Sequence, residues 1–192
     1  NPLSFYPQES SSLTHKKMVV VGTHSYNKGY DLLLQVWKNI VLKFPEWNLS
    51  IYGKIDSNKT FIQLAKELNI DTSVSFYDPI SNIQEVYLNA SLLILPSRTE
   101  GFGMVLIEAM SCGLPCVAFD CPSGPRDIIK TNEDGILVSP ENVSEMTEKI
   151  IFLIQNEEKL KQMGAQAKIN VKRYLPDQIM LKWDQLFKDL IP

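Results

Sequence analysis

The sequence predicts an α/β fold: a doubly wound, Rossmann-like parallel sheet of about six strands with helices on both faces. Short apolar runs recur along the 192-residue chain, and segments with apolar residues at helical spacing separate them. The runs contain few polar residues, as is typical of strands buried on both faces of a parallel sheet. The length suits one domain with a sizeable core.

The bounds of each strand and helix are predicted from the local pattern of apolar and capping residues. In the first helical segment, Leu33, Val36 and Ile40 lie at helical spacing. Ser139 and Pro140 supply an N-cap and a first-turn proline for the helix that starts at residue 142. The predicted strands are residues 18–21, 49–52, 73–77, 92–95, 114–119 and 135–138. The predicted helices are residues 28–44, 61–68, 84–90, 103–112, 125–129, 142–154, 157–173 and 177–190.

The chain is expected to divide into three parts. Residues 1–16 are rich in proline and serine and have no periodicity, which predicts an interdomain linker. Residues 17–174 form the Rossmann-like domain, and residues 175–192 form a final helix. A domain that opens with a linker and without a start methionine is expected to be part of something longer.

Composition narrows the classes of function. The formal net charge of −3 gives no basic excess, so no nucleic-acid partner is predicted. Cys112, Cys116 and Cys121 are expected as small core residues in a reducing compartment, and no metal site is predicted, since His15 and His24 lie far from them. No long apolar run or signal pattern is present, which predicts a cytoplasmic protein with at most peripheral membrane contact.

The loop after the first strand runs from Gly22 to Gly29 and opens a helix. A glycine at the strand end and Lys28 in the first helical turn offer backbone N–H groups and a cation to a phosphate. An ordinary strand-to-helix turn with a solvated lysine explains the same residues.

The stretch from Pro96 to Met110 is more informative. Gly101 and Gly103 lie at a helix start, where a ligand can approach the exposed N–H groups. Glu108 interrupts an otherwise apolar helix, and ligand hydroxyls explain such a carboxylate more easily than a solvated face or a backbone partner. Glu100 has an equally good alternative, an ion pair with Arg98 on the surface.

A third loop, from Asp120 to Asp127, contains prolines and a glycine. Arg126 or the N–H groups of the turn could reach a polar ligand. A rigid turn without a ligand explains the loop equally well.

Together these motifs resemble the C-terminal domain of family 4 glycosyltransferases of the GT-B fold. The resemblance rests on E-G-F-G-M-V-L-I-E-A-M, in which Glu100 and Glu108 stand in E-x7-E spacing, and on V-G-T-H-S-Y-N-K-G-Y-D-L-L-L, D-C-P-S-G-P-R-D-I-I and D-G-I-L-V. It covers about residues 18–190. It also implies an N-terminal acceptor-binding domain of the same protein, toward which the final helix would pack.

The resemblance implies a role for each site residue. Glu100 and Lys28 would be catalytic, with Lys28 at the donor's diphosphate and Glu100 facing the transferred sugar. Glu108 would hold the ribose hydroxyls, and the nucleobase would lie near Tyr77 and Ile80. The implied donor-binding residues are Gly22, Thr23, Lys28, Tyr77, Ile80, Glu100, Gly101, Phe102, Gly103, Met104, Val105 and Glu108.

The sequence departs from the family pattern at Thr23, where the family usually has an arginine that pairs with the diphosphate. A threonine gives one neutral hydrogen bond, which removes about 1.5–3 kcal/mol of charge-assisted binding. Arg98, Arg126 and His24 are the candidates to replace that cation. Asp78 stands where the family usually has glycine.

The predicted function is transfer, with retention and without a metal or cofactor, of a hexosyl or N-acetylhexosaminyl group. The donor would be a nucleotide sugar, by preference a UDP-sugar, and the acceptor a glycan or lipid-linked group in bacterial cell-surface polysaccharide biosynthesis. This fragment alone is expected to be inactive. The alternatives are a non-catalytic nucleotide-binding domain, which Thr23 favours, and a sugar-nucleotide epimerase, for which His24 is the one acid/base histidine in a candidate loop.

Overall fold

A computed structural model describes residues 1–190 of the chain, arranged around one six-stranded parallel sheet with strand order β3-β2-β1-β4-β5-β6. The strands are β1 (Lys17–Val21), β2 (Asn48–Tyr52), β3 (Val74–Tyr77), β4 (Leu92–Leu95), β5 (Cys116–Phe119) and β6 (Gly135–Val138). The helices are α1 (Tyr30–Val41), α2 (Thr60–Glu67), α3 (Ile83–Leu88), α4 (Met104–Ser111), α5 (Pro125–Ile128), α6 (Val143–Gln155), α7 (Glu157–Asn170) and α8 (Pro176–Leu190).

The helices cover both faces of the sheet, because the chain moves outward from β1 to β3 and then crosses back to β4. Helices α2 and α6 pack against α1, and helices α3, α5 and α7 pack against α4. Strands β4 and β5 are buried along their whole length. The order of strands reverses between β1 and β4, so the loops after these two strands flank the switch point, where ligands bind in such sheets.

The amino-terminal segment, residues 1–16, lies against the domain. Leu3 and Leu13 are buried. The backbone N–H of Leu3 donates to the carbonyl of Tyr174 at 2.7 Å, and that of Ser11 donates to the carbonyl of Cys112 at 2.9 Å. The segment therefore completes the packing beside α4; its role as a connection to another domain stays a prediction.

The last helix, α8, is almost entirely exposed, and its apolar side chains form a stripe without cover from residues 1–190. The members of this stripe are Met180, Trp183, Phe187 and Leu190. The predicted final segment extends to residue 192, and its last two residues lie outside the described part of the chain.

Several predicted element ends differ from the structure. Residues 26–28 form a short 3-10 turn, and α1 begins only at Tyr30 because Gly29 adopts a left-handed conformation with φ 65°. Lys28 therefore precedes the helix and does not lie in its first turn. The predicted cap of α6 is also wrong: the side chain of Asn142, and not that of Ser139, accepts the N–H of Glu145 at 3.0 Å.

Candidate functional site

A cavity of about 320 Å³ lies at the carboxyl edge of the sheet, where the loops after β1, β2 and β3 meet α4. Its lining residues are Val21, Gly22, Thr23, Tyr52, Gly53, Lys54, Pro79, Ile80, Ile83 and Glu108. The sequence-predicted residues Gly22, Thr23, Ile80 and Glu108 thus come together around one space. An adjoining hollow of about 480 Å³ shares Tyr52 and Ile80 with it but includes neither Glu108 nor any part of the loop after β1, residues 22–29, called the glycine loop below. The smaller cavity is therefore the better candidate.

The loops after β1 and β2 touch at Gly53. This residue has φ 154°, and a Cβ atom there would lie 1.9 Å from the carbonyl oxygen of Gly22. Only glycine allows the two backbones to approach so closely. The N–H of Gly22 donates to the carbonyl of Tyr52 at 2.9 Å, and the hydroxyl of Tyr30 donates to the carbonyl of Gly22 at 2.7 Å. The glycine loop is therefore held from both sides.

Lys28 and Glu100 form a short ion pair, with Nζ and Oε1 separated by 2.6 Å. The side chain of Lys28 passes over Gly22, with its methylene carbons 3.5 Å from where a Cβ of Gly22 would lie. The hydroxyl of Ser97 also donates to Glu100 Oε1 at 2.6 Å. The structure thus joins the glycine loop to the loop after β4, although these residues are far apart in sequence.

Glu108 is half-buried on α4 and lines the cavity. Its two hydrogen bonds are long: Ser4 Oγ donates at 3.3 Å and the hydroxyl of Tyr87 donates at 3.4 Å. Burial raises the pKa of the Glu108 carboxyl above its ordinary value, and these two donors offset part of the rise. A carboxylate has about four acceptor positions, so Glu108 retains capacity to accept from ligand hydroxyls.

The amino terminus of α4 faces open space at Gly101, where a Cβ atom would meet no atom within 4 Å. Gly103 is the N-cap, and Met104 and Val105 form the first turn, whose N–H groups have no partner within the helix. Phe102 instead turns toward the domain, where its ring packs edge-on against Tyr174 at 5.7 Å. Of this predicted stretch, the backbone and not the Phe102 ring is available to a ligand.

The third loop is a rigid turn in the structure. Gly124 lies against the backbone of Phe102, since a Cβ atom there would be 2.3 Å from the Phe102 carbonyl oxygen. The hydroxyl of Ser123 donates to the carbonyl of Glu100. Arg126 forms an ion pair with Asp120 of the same loop, with Nε and Oδ1 separated by 2.9 Å. The loop from Asp120 to Asp127 therefore packs against the loop after β4, which contains Glu100.

Arg98 does not pair with Glu100, contrary to one of the two interpretations of the sequence. Its guanidinium forms a bidentate pair with Asp31, with both N–O distances 2.8 Å, and its Nε donates to Glu141 at 2.9 Å. It also lies 3.8 Å over the ring of Tyr26. These carboxylates raise the pKa of Arg98, and hydrogen bonding from Arg98 lowers the pKa of Asp31. The guanidinium of Arg98 is thus engaged by contacts within the domain and is not free to bind a ligand.

Tyr77 lies beside the cavity and not in its lining. Its ring stacks on that of Tyr52, with centroids 4.7 Å apart and planes within 15°. Tyr52, Gly53 and Lys54 line the cavity, and sequence reasoning missed them. The signal was available, because these residues end β2 and begin its loop, at the same sheet edge as the loops after β1 and β4.

The family model described as "Glycosyl transferases group 1" matches residues 5–170. The chain belongs to the glycosyl transferases group 1 family. It is 35% identical over 184 residues to an uncharacterized glycosyltransferase of Haemophilus influenzae, an alignment that covers 95% of this chain and 52% of that protein. It is 32% identical over 170 residues to the amylovoran biosynthesis glycosyltransferase AmsD of Erwinia amylovora, covering 88% of this chain and 47% of that protein.

Among solved structures, the fold is similar to that of S. aureus TarM, crystallised as a variant in complex with fondaparinux, alpha-GlcNAc-glycerol and UDP. The TM-score is 0.88 with 28% sequence identity, over 97% of this chain and 38% of the TarM chain. The fold prediction is confirmed: this glycosyl transferases group 1 chain is a Rossmann-like α/β domain of the GT-B type. It spans about half the length of the two curated relatives, 52% and 47%.

Residues 1–190 of this group 1 domain contain neither a metal-binding cluster nor a membrane-spanning helix. In that part of the chain, no group of three or more His, Cys, Asp and Glu side chains is placed to hold a metal ion. No helix there is both long and apolar enough to span a membrane. All three cysteines are buried and unpaired, and burial raises the pKa of Cys112 to about 11. They pack in the core, as the sequence predicts.

Proposed function

We propose that this chain is the nucleotide-sugar-binding, C-terminal half of a retaining, family 4 glycosyltransferase. It would transfer a hexosyl or N-acetylhexosaminyl group from a UDP-sugar to a glycan or lipid-linked acceptor in cell-surface polysaccharide biosynthesis. One observation supports the proposal most: a single cavity brings together the glycine loop and the half-buried carboxylate of Glu108 at the switch point of the sheet. The UDP bound by TarM and the amylovoran pathway of AmsD agree with it.

The proposed donor orientation follows from the chemistry of the cavity. Glu108 would accept hydrogen bonds from the two ribose hydroxyls, since its present donors are long. Binding of a ligand removes water from the Glu108 carboxylate, which costs free energy. Folding has already removed part of that water, so the ribose hydroxyls need to compensate only the remaining desolvation cost. The nucleobase would lie along Ile80 and the stacked pair Tyr52 and Tyr77.

The diphosphate would lie between the glycine loop and the amino terminus of α4. Backbone N–H groups of Met104 and Val105, together with the positive end of the helix dipole, favour an anion there, whereas the N–H of Gly22 already donates to Tyr52 and only the close approach of its backbone is available. The Lys28 ammonium has three donor positions, so it can keep Glu100 and still donate to a phosphate oxygen. Such placed donors stabilise charge that develops on a leaving diphosphate, which is why the proposed reaction needs no metal.

Glu100 would face the transferred sugar, beside the open space at Gly101. The acceptor would be bound by a separate N-terminal domain, consistent with curated relatives about twice as long as this chain. The exposed apolar stripe of α8 would pack against that domain. This half alone is therefore expected to bind donor without turnover, at a site open to the cytoplasm.

One observation favours a second candidate, a non-catalytic nucleotide-binding domain. Thr23 offers no charge to a diphosphate, and neither of the arginines considered in its place is free. Arg98 is engaged by Asp31 and Glu141, and Arg126 by Asp120. The ring of His24 is buried, and burial lowers its pKa, so it is neutral at pH 7.

Calorimetric titration with UDP, GDP and ADP tests the donor site. We expect one nucleotide, UDP, to bind, and Glu108→Gln to weaken it by about tenfold because the amide accepts ribose hydroxyls less well. Lys28→Ala should weaken UDP similarly. Glu67→Gln and Lys66→Ala make the same charge changes on the exposed end of α2 and should leave binding unchanged.

Either of two outcomes would contradict the proposal. Failure of all three nucleotides to bind at millimolar concentration would remove the donor site. UDP binding that Glu108→Gln leaves unchanged would place the nucleotide elsewhere. A UDP-binding chain whose full-length form transfers no sugar from any UDP-sugar would instead support the non-catalytic candidate.

A further inference from the structure

The cavity has one lysine in its lining, Lys54, directly after Gly53. Its side chain is exposed, and within residues 1–190 it forms no ion pair. The nearby acid of the same loop, Asp56, is engaged by Thr60, whose N–H and hydroxyl donate to it at 3.0 Å and 2.7 Å. Hydrogen bonds from Thr60 also lower the pKa of Asp56. The Lys54 ammonium is thus available to a ligand.

The other cations around this edge of the sheet already have carboxylate partners. Lys28 is 2.6 Å from Glu100. Arg98 and Arg126 lie within 2.9 Å of theirs. An ion pair that is already formed offsets much of a cation's attraction for a second anion, whereas an unpaired ammonium keeps its full attraction.

An anionic ligand also needs a positive group in this cavity for a second reason. Glu108 lines the same space and repels any phosphate that enters it. Thr23 contributes a neutral hydroxyl, and the remaining lining side chains are uncharged. Lys54 is the cavity's one cation within the described chain, and it adjoins Gly53, which touches Gly22 of the glycine loop.

We infer that Lys54 binds the diphosphate of the nucleotide-sugar donor and provides there the charge that Thr23 lacks. The inference rests on the proposed function and deepens it, because it assigns to the loop after β2 a donor contact that the sequence motifs do not include. A lysine suits this position, since a flexible stem can bring its point charge to a phosphate oxygen without a fixed bidentate geometry.

The inference predicts a contrast between ligands with and without phosphate. Lys54→Ala should weaken UDP by about tenfold, as expected for loss of one charge-assisted hydrogen bond, and leave uridine binding unchanged. Lys54→Arg should retain most of the UDP affinity because it retains the charge. Added salt should weaken UDP binding to the wild type more steeply than to Lys54→Ala, since one screened charge pair is gone.

The experiment is titration of the 192-residue chain and its variants with UDP and uridine at two salt concentrations, with Lys66→Ala as the charge-matched control. Equal UDP affinity in the wild type and Lys54→Ala would overturn the inference and leave the proposed donor site intact. Equal weakening of uridine and UDP would overturn it as well, since the lysine would then contact the nucleoside. Absence of UDP binding in the wild type would overturn both the inference and the proposed function.

Discussion

His24, in the loop after β1, is buried among aromatic rings. Tyr30, Phe61 and Phe76 surround it edge-on, with centroid distances of 5.2, 6.1 and 5.6 Å. Neither ring nitrogen has a hydrogen-bond partner among residues 1–190. Burial lowers the pKa of His24, and the negative charges of nearby acids offset only part of this effect. The domain therefore holds a neutral imidazole at a cost in stability.

Replacing His24 by phenylalanine should stabilise the domain by about 1 kcal/mol, because it removes two buried nitrogens that lack partners. It should also change the pH dependence. The unfolded histidine takes up a proton near its ordinary pKa of 6.5, whereas the folded one does so at lower pH, so wild-type stability falls as pH drops below about 6.5. His24→Phe should lose that decline. Urea denaturation between pH 5 and pH 8 measures both effects.

His15 provides the comparison, since its side chain is exposed. His15→Gln should leave the free energy of unfolding within about 0.5 kcal/mol of the wild type. If His24→Phe were less stable than the wild type at every pH, the histidine would have an unseen partner or the larger ring would not fit among the aromatic rings. An unseen partner would refute the interpretation of a neutral, unpartnered imidazole, and a wild-type decline in stability below about pH 6.5 that persists in His24→Phe would refute it however the ring fits.

At the scale of elements, the sequence was sufficient to predict the strands and helices but not the geometry between them. Continuous apolar runs require buried strands, so all six strands lie where the runs predict them. The position of a helix end depends on the backbone conformation of a single residue. The left-handed conformation of Gly29, for example, separates Lys28 from α1. Contacts between loops depend on the tertiary fold, and no local pattern indicates them.

The two glutamates show this difference. The sequence alone indicates Glu108 as a ligand candidate, because a carboxylate in an apolar helix is anomalous within its own segment. The partner of Glu100 could not be predicted, because Lys28 is 72 residues away in sequence and reaches it only through the packing of the β1 and β4 loops. Arg98, two residues from Glu100, is instead drawn to Asp31 on α1.

Two glycines of the proposed donor site should respond differently to substitution by alanine. Gly53→Ala should destabilise the domain by about 2 kcal/mol or more, because its Cβ would overlap the Gly22 carbonyl and the backbones would have to separate. Gly101→Ala should leave stability unchanged, because its Cβ meets no atom, yet weaken UDP by occupying space in front of α4. Chemical denaturation and UDP titration of both variants separate fold from binding.

A stable Gly53→Ala variant with normal UDP affinity would show that the two loops can move apart without consequence. Unchanged UDP binding in Gly101→Ala would mean that the donor does not approach this end of α4. Either result would show that the glycine concerned does not shape the proposed donor site.

At the scale of the whole molecule, α8 is the element that residues 1–190 leave unexplained. Its apolar stripe is roughly half or more exposed: Trp183 by 50% and Phe187 by 53%. The two rings stack on each other within the helix, with centroids 5.8 Å apart. Such a stripe on an isolated domain is expected where a further surface covers it, which agrees with relatives about twice the length of this chain.

The double variant Trp183→Asp and Phe187→Asp should leave the free energy of unfolding of this chain within about 0.5 kcal/mol of the wild type, because both side chains contribute little to its core. In the proposed two-domain protein the same changes should lower stability by several kcal/mol, since two aromatic contacts would be replaced by buried charges. Denaturation of both forms makes the comparison. A loss of more than about 1 kcal/mol in the short chain would show that α8 packs on its own domain.

The three tryptophans also make α8 visible to spectroscopy. Trp37 and Trp47 are 1% and 6% exposed, whereas Trp183 is half exposed. Emission from the buried pair is shielded from dissolved quenchers such as iodide, so the quenchable fluorescence of this chain arises mainly from α8. When a partner surface covers the helix, that fraction becomes protected and its emission shifts to the blue. The proposed packing of α8 against another domain can therefore be followed by the native fluorescence of the protein, without a label.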